Sequence, residues 1–232
     1  MTERKLAVVV GANGGLGQAL ASKLARNHDV MTFARSFPGT QFIDLELEES
    51  IVAAAHVIAA TDRSPAIVIA ASGLLSAAGN GPEKALRDLS GDWAMKNFQV
   101  NAIGPALVAK HFVPLMPRRE PAIFAAISAR VGSISDNRLG GWHSYRASKA
   151  ALNMFIRNIA IEWSRKNPES IAVALHPGTV DTALSKPFQG NVPAEKLFDA
   201  EFSAAKMLDV LAGLSPEHSG RIFAWDGNEI AP

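Results

Sequence analysis

The chain has 232 residues, 48% of them hydrophobic, which is enough for a large buried core and too apolar for an intrinsically disordered segment. Its 23 basic and 22 acidic residues are well mixed and leave a net charge of +1, which argues against nucleic acid or a membrane surface as a partner. Cysteine is absent, which excludes disulfides, thiolate metal sites and cysteine nucleophiles. The histidines lack metal-ligand spacing, so no metal site is predicted.

No stretch of the sequence approaches the roughly 18 consecutive apolar residues that a membrane-spanning helix requires. The apolar run after Lys5 is also too short for the hydrophobic region of a signal peptide. We therefore expect a cytoplasmic protein.

Short apolar runs alternate with longer helical segments along the chain. The apolar runs predict strands at residues 6–10, 30–34, 41–44, 66–71, 122–127, 171–175 and 221–225. Helices are predicted at residues 16–27, 48–60, 92–116 and 143–166. Strands separated by helices favour right-handed crossovers and a parallel sheet. The sequence thus predicts an α/β protein, with one Rossmann-like domain over residues 1–232 whose doubly wound parallel β-sheet has helices on both faces.

A glycine-rich segment joins the first predicted strand to the first helix, and it reads Gly11-Ala12-Asn13-Gly14-Gly15-Leu16-Gly17. It is not a P-loop, because no Lys-Ser or Lys-Thr pair follows. Glycines let the backbone approach a pyrophosphate closely, and the helix N-terminus supplies amide donors. A plain turn is the alternative, but the first strand–helix junction of a parallel sheet favours dinucleotide binding.

Tyr145 and Lys149 are four residues apart, which places them on one face of a helix. An ammonium beside a phenol favours the phenolate, so we expect Lys149 to lower the tyrosine pKa from its usual value of about 10. Alone, this spacing is common on helix surfaces. Its significance depends on the motifs that accompany it.

The ordered motifs of the chain resemble those of the short-chain dehydrogenases/reductases. They are Gly11-x-x-x-Gly15-x-Gly17, Asn101, Ser128, Tyr145-x-x-x-Lys149 and Pro177-Gly178-Thr179-Val180-x-Thr182. Within that family, the segment from Gly141 to Lys149 is similar to the C-factor-like branch, whose name-giving member is a bacterial signalling protein.

The resemblance implies a catalytic role for four side chains. Tyr145 would be the general acid in carbonyl reduction or the base in alcohol oxidation. Lys149 would also hold the nicotinamide ribose, and Ser128 would stabilise charge on the substrate oxygen. Asn101 would support a water relay toward the lysine. Structural alternatives are an irregular helix at Asn101 and a local strand-end hydrogen bond at Ser128.

The resemblance also implies a cofactor site, formed by Gly11, Asn13, Gly14, Gly15, Leu16, Gly17, Arg35, Ser36, Asp44, Leu45, Ala71, Ser72, Gly73, Lys149, Pro177, Gly178, Val180 and Thr182. An NAD site usually has an acidic residue after the second strand, and none follows Phe33 directly here. Arg35 could instead pair with a 2′-phosphate, with Ser36 adding a hydrogen bond. NADP(H) is favoured, and NAD(H) is the alternative.

The sequence also departs from the family pattern. Val10 replaces a threonine, Ala70-Ala71-Ser72-Gly73 replaces an Asn-Asn-Ala-Gly segment, and Gly140-Gly141 lies in an added turn. The catalytic positions are filled, which favours an enzyme acting on a small or medium carbonyl or alcohol compound. The altered segment at residues 70–73 leaves a cofactor-binding sensor with little turnover as the alternative.

Other features of the sequence have simpler interpretations. The aromatic residues are interpreted as core or interface packing, namely Trp93, Phe98, Trp142 and Phe155. His143 is interpreted as a contact at the pocket rim or the helix N-terminus, not as a proton-transfer group, and His176 as structural. Residues 184–193 are expected to form a mobile loop at the substrate site. By the resemblance, the helices at 92–116 and 143–166 would pair subunits in a homodimer or homotetramer.

Overall fold

The centre of the fold is a parallel sheet, seen in a computed structural model that describes residues 4–77, 79–191 and 193–232. The strands are β1 (Lys5–Val10), β2 (His28–Phe33), β3 (Pro65–Ala70), β4 (Ala122–Ile127), β5 (Ser170–His176), β6 (Thr179–Val180), β7 (Leu197–Phe198) and β8 (Ile222–Ala224). The main sheet has the order β2-β1-β3-β4-β5-β8, and its strand pairs are all parallel in the described residues. β6 and β7 form a separate two-stranded ribbon.

Helices cover both faces of the sheet. They are α1 (Gly15–Leu24), α2 (Glu48–Ala59), α3 (Gly91–Phe98), α4 (Gly104–Phe112), α5 (His143–Ser164) and α6 (Ala200–Ala212). Alternate residues of β1 enter opposite cores, because successive strand side chains point to opposite faces. Val8 packs with residues of α2, α4 and α5 in one core, whereas Val9 packs with residues of α1 and α6 in the other. The predicted doubly wound fold is confirmed.

The long helix predicted at residues 92–116 is divided into four segments. A π-helical turn at Gln99–Ile103 separates α3 from α4, and a 3₁₀ turn at Val113–Leu115 follows α4. Pro105 contributes to this irregularity, because it lacks the N–H that a regular helix requires at that position. The helix around Asn101 is therefore irregular, and the functional role of this residue remains a prediction.

Three other elements of secondary structure differ from the prediction. The strand predicted at residues 41–44 is wrong: a 3₁₀ turn at Gly39–Gln41 leads into one isolated bridge between Ala34 and Phe42. β2 ends at Phe33, so little extended chain is left for this segment to pair with. α6 was not predicted, although Ala204, Met207 and Leu211 form a buried stripe at helical spacing. The ribbon of β6 and β7 is too short to leave an alternating pattern.

The strand order explains where a ligand can bind. β1 leads to β2 on one side, whereas its neighbour β3 leads to β4 on the other, so the connections that leave β1 and β3 diverge. In open parallel sheets, such a switch point leaves a crevice at the carboxyl ends of the strands. The described part of the chain contains no helix with the length and apolar character that crossing a bilayer would take.

Candidate active site

A cleft of about 900 Å³ opens at the carboxyl edge of the sheet. It is lined by most of the predicted site residues: Gly11, Asn13, Gly14, Gly15, Leu16, Gly17, Arg35, Asp44, Leu45, Ala71, Ser72, Gly73, Ser128, Tyr145, Lys149, Pro177, Gly178, Val180 and Thr182. Ser36 lies beside this lining, where its hydroxyl accepts a hydrogen bond from Asn13 Nδ2 at 3.0 Å. Asn101 lies behind it. The fold therefore brings the dispersed motifs into one site.

The glycine loop is shaped for close approach of a ligand to the backbone. Gly11 has φ +86°, and a Cβ there would lie 2.5 Å from Ser72 Oγ. A Cβ on Gly17 would collide with the Gly11 carbonyl oxygen. Because α1 begins at Gly15, its free amides face the cleft beside this turn. Backbone donors and missing side chains of this kind fit a pyrophosphate.

The segment at residues 70–73, which departs from the family pattern, still ties the central strands together. The Ala71 amide donates to the Val10 carbonyl at 2.8 Å, so the chain leaving β3 is bonded to the end of β1. The amide side chains that are absent here are not required for this backbone contact. Ala71, Ser72 and Gly73 can thus still line the cleft.

Tyr145 and Lys149 lie one turn apart on α5, and both are buried. Lys149 Nζ lies 5.8 Å from the centroid of the tyrosine ring and donates a hydrogen bond to the Ile127 carbonyl at 2.8 Å. The two side chains thus occupy the same part of the cleft, as the sequence predicted.

The predicted electrostatic effect of this pair needs correction. Burial raises the pKa of Tyr145 to about 12, whereas we expected the lysine to lower it. Burial also lowers the pKa of Lys149 to about 7. Removal from water penalises the charged form of each group, so the phenol and the amine are both shifted toward neutrality.

Ser128 is positioned by both its backbone and its side chain. Its amide donates to the Leu175 carbonyl at 2.8 Å, which extends the pairing of β4 with β5. Its hydroxyl donates to Asn153 Oδ1 at 2.7 Å, and Asn153 Nδ2 donates to the Gly132 carbonyl at 3.4 Å. The serine proton is therefore directed toward Asn153, and the hydroxyl must rotate before it can donate to a substrate oxygen.

Asn153 was not among the predicted site residues. It lies four residues after Lys149, so it continues the helix face that carries the tyrosine and the lysine. That spacing is the signal by which the sequence could have indicated it.

Asn101 connects the loop after β3 to the catalytic helix. It is fully buried, accepts from the Leu74 amide and donates to the Leu74 carbonyl, each at 2.8 Å. Its amide nitrogen also lies 3.2 Å from Ser148 Oγ. A Cβ placed on Gly73 would be 3.8 Å from Asn101 Oδ1 and 3.9 Å from Lys149 Nζ, so these two groups flank that glycine. The water relay remains a prediction.

The end of the cleft near Arg35 contains a carboxylate that is not among the predicted site residues. Glu46 Oε1 lies 3.5 Å from the Arg35 guanidinium, and Glu46 also forms an ion pair with Lys96. Glu46 and Lys96 both line the cleft. Glu46 follows the predicted Asp44-Leu45 pair, whereas Lys96 reaches the site from α3. Arg35 thus faces an acidic neighbour, even though none follows β2 directly.

Two residues interpreted as packing or structural groups also line the cleft, His176 and Trp142. Burial lowers the pKa of His176 to about 4, so its imidazole is neutral near pH 7. Its Nδ1 has no hydrogen-bond partner among the described residues. Trp93 is buried, as predicted, and His143 begins α5 without lining the cleft. Within the described ranges, no cluster of three or more His, Cys, Asp or Glu is placed to hold a metal ion.

The parallel sheet, the glycine loop at its switch point and the Tyr145–Lys149 pair together define a nucleotide-dependent oxidoreductase of the short-chain type. The sequence model of the short chain dehydrogenases matches residues 5–192. The chain therefore belongs to the short-chain dehydrogenase/reductase family, and it is an NAD(P)-dependent oxidoreductase.

Relatives and solved structures agree with this placement. C-signal of Myxococcus xanthus is 38% identical over 136 residues, covering 58% of this chain and 76% of that protein. The 1-hydroxy-2-glutathionyl-2-methyl-3-butene dehydrogenase of Rhodococcus sp. (strain AD45) is 29% identical over 230 residues, covering 95% of this chain and 96% of its own. An NADPH-bound carbonyl reductase from chicken fatty liver superimposes with a TM-score of 0.83 at 25% identity, covering 99% of this chain and 100% of that structure.

Proposed function

We propose that this protein reduces a small or medium carbonyl compound to the alcohol with NADPH, and that Tyr145 is the general acid. The observation that carries the proposal is the place of Tyr145 in the cleft, one helical turn from Lys149, whose Nζ lies 5.8 Å from the centroid of the tyrosine ring. Burial there raises the pKa of Tyr145 to about 12. The phenol therefore retains its proton near neutral pH and can donate it. Carbonyl reduction uses this protonated form, whereas alcohol oxidation needs the deprotonated form.

The proposed reaction balances as a single reduction. The carbonyl carbon accepts a hydride, the carbonyl oxygen accepts the Tyr145 proton, and the alcohol leaves. Bound NADPH supplies the hydride and is left oxidised. Solvent then returns a proton to the tyrosine. Ser128 would assist by turning its hydroxyl from Asn153 to the substrate oxygen as negative charge develops there.

The same cleft would hold the cofactor. The loop from Gly11 to Gly17 would hold the pyrophosphate, because a Cβ would fill the space that the glycines leave. Asp44 and Leu45 would contact the adenine, Lys149 the nicotinamide ribose, and Val180 with Thr182 the nicotinamide carboxamide. These residues all line the cleft.

The preference for NADP(H) over NAD(H) rests on the other end of the cleft. Arg35 is 68% exposed and Ser36 lies next to it, so both can reach a 2′-phosphate. NADPH bound to the chicken carbonyl reductase and NADP bound to a Burkholderia multivorans relative support this choice. Glu46 opposes it, because its carboxylate would lie near the added phosphate.

Incubation of the purified protein with NADPH and a panel of aldehydes, ketones and quinones tests the proposal. Tyr145→Phe should lower kcat by about 10²–10⁴-fold, the usual effect of losing a general acid. The Kd for NADPH should stay unchanged in this variant, because the substitution removes only the hydroxyl. Tight NADPH binding without turnover of any compound would instead indicate a cofactor-binding sensor.

Subunit pairing through α5 is a further part of the proposal. Met154 and Ile161 on this helix are 62% and 43% exposed, and a homodimer or homotetramer would cover them. Light scattering coupled to gel filtration tests this, with Met154→Glu expected to shift the mass toward the monomer. Cytoplasmic location remains a prediction of the sequence.

A further inference from the structure

A tryptophan with a strained backbone lies beside the catalytic tyrosine. Trp142, the residue before α5, has φ +51° and ψ +41°, a left-handed conformation that side chains rarely adopt. Gly140 and Gly141 precede it with φ +63° and +62°, so three consecutive residues are left-handed. A strained backbone persists only where its surroundings hold it, and such positions cluster at functional sites.

Glu83 holds this segment in place. It is only 4% exposed, and its backbone carbonyl accepts a hydrogen bond from the Trp142 amide at 2.5 Å. Its side chain accepts from the Ser144 amide at 3.1 Å and from the Ser144 hydroxyl. An acidic side chain is favourable at a helix N-terminus, where the macrodipole is positive. One residue of the loop after β3 thus fixes both Trp142 and the first turn of the catalytic helix.

Arg146 holds the same segment from the helix. Its Nε donates to the Gly140 carbonyl at 3.2 Å and to the Gly141 carbonyl at 3.1 Å. Its Nη1 lies 3.3 Å from the Val131 carbonyl. The glycine turn is therefore bonded on two sides, and the tryptophan that follows it has a defined position.

The indole forms part of an aromatic wall, which we define as Trp142 and Phe188. Their ring centroids are 5.4 Å apart at 62°, and the Trp142 centroid lies 6.1 Å from that of Tyr145 at 71°. All three side chains line the cleft. Aromatic pairs attract at such distances through edge-to-face contacts, so the wall can accept another ring.

Two basic side chains that line the cleft near Tyr145 already have partners. Arg130 forms an ion pair with Asp136 at 2.6 Å, and Lys149 donates to the Ile127 carbonyl. Val131 and Leu184 are further lining residues. Apolar and aromatic side chains thus form much of the lining near Tyr145, whereas three charged side chains, Arg35, Glu46 and Lys96, line the other end.

We propose that Trp142 determines substrate specificity, and that the substrate carries an uncharged aromatic group next to its carbonyl. This inference rests on the proposed function. This group packs against the aromatic wall while the carbonyl oxygen reaches Tyr145. Glu83 is a positioning residue, because it acts on the substrate only through Trp142 and the start of α5.

The test compares benzaldehyde with hexanal, an aliphatic aldehyde of similar size, with NADPH as the reductant. Trp142→Ala should lower kcat/KM for benzaldehyde by about tenfold, as expected for loss of an aromatic contact and its buried area, and should change hexanal much less. Trp142→Phe should restore most of the benzaldehyde activity. Glu83→Gln should shift the ratio in the same direction, through a higher KM for benzaldehyde with little change in kcat for hexanal.

Leu139→Ala is the matched control, because Leu139 lies in the same connection and is 90% exposed. It should leave the benzaldehyde to hexanal ratio unchanged, and NADPH affinity should be equal in all variants. Turnover with an unaltered ratio in Trp142→Ala would overturn this inference and leave the proposed function intact. A wild-type protein that reduces neither aldehyde, nor any other compound of the panel, would overturn both.

Discussion

Ser128 Oγ donates a hydrogen bond to Asn153 Oδ1 at 2.7 Å, which links the end of β4 to the helix that carries Tyr145 and Lys149. The contact orients the serine hydroxyl on the wall of the cleft. It also competes with donation to a substrate, since a hydroxyl has a single proton to give. Asn153 therefore belongs to the functional unit of Ser128.

Substitutions of this pair should be strongly non-additive. Ser128→Ala should lower kcat by about 10²–10³-fold, the range for loss of a donor to a developing oxyanion. Asn153→Ala should cost less, about tenfold or below, because the serine remains but is no longer oriented. The double variant should be no slower than Ser128→Ala. A double variant slower by the product of the two effects would show that Asn153 acts independently.

The buried Lys149 predicts a pH dependence of stability. Its pKa is lowered to about 7 by burial, whereas an unfolded lysine titrates near about 10.4. Between these values the unfolded chain binds more protons, so this group makes stability rise with pH across the window and leaves it lowest below pH 7. Urea unfolding at pH 7, 8 and 9 measures the slope, which should be smaller in Lys149→Met.

A solvent-exposed lysine serves as the control for this pH dependence of stability. Lys166 lies just beyond the end of α5, and its side chain is 74% exposed. Lys166→Met should retain the wild-type increase in the free energy of unfolding. An equal slope in wild type and Lys149→Met would contradict the lowered pKa.

The ion pairs at the other end of the cleft predict opposite effects on cofactor affinity. Arg35→Ala should raise the Kd for NADPH by about tenfold, the effect of one charge-assisted hydrogen bond, and barely change the Kd for NADH. Glu46→Gln should strengthen NADPH binding, because it removes a carboxylate that competes for Arg35 and Lys96. Cofactor fluorescence titrations measure both constants.

Arg87→Ala provides the matching charge control, since Arg87 is 87% exposed and does not line the cleft. It should leave both cofactor constants unchanged. The effects of Arg35→Ala and Glu46→Gln on the Kd for NADPH should both diminish at high salt, because ions screen exposed charges. Equal losses of NADPH and NADH affinity in Arg35→Ala would argue against contact with a 2′-phosphate.

Alanine substitutions at two glycines distinguish the stability cost of a steric contact from that of backbone strain. Gly11 and Gly39 both have positive φ, but a Cβ would meet Ser72 at Gly11 and nothing within 4 Å at Gly39. Gly39→Ala should therefore cost only the backbone strain of about 1–2 kcal/mol. Gly11→Ala should lose more stability and should also weaken NADPH binding. Thermal unfolding with and without NADPH compares the two, and equal effects would mean that the contact with Ser72 is relieved at little cost.

Local patterns in the sequence predicted much of the sheet and of the active site. Continuous apolar runs predicted the strands of the main sheet, because a strand covered on both faces must be apolar throughout. The glycine loop and the Tyr145–Lys149 spacing each lie within a few residues, so their geometry follows from a single turn or helix. The segments lacking such a pattern, at residues 41–44 and in the β6–β7 ribbon, were predicted wrongly or overlooked.

Contacts between distant segments were decided only by the tertiary structure. The sequence does not reveal that Asn153 accepts a hydrogen bond from Ser128, that Glu46 reaches Arg35, or that Glu83 holds Trp142. The correction at Tyr145 has the same origin. Its helical spacing from Lys149 is local, but its pKa depends on how much water the whole fold excludes from the cleft, and that exclusion outweighs the charge that the spacing brings near.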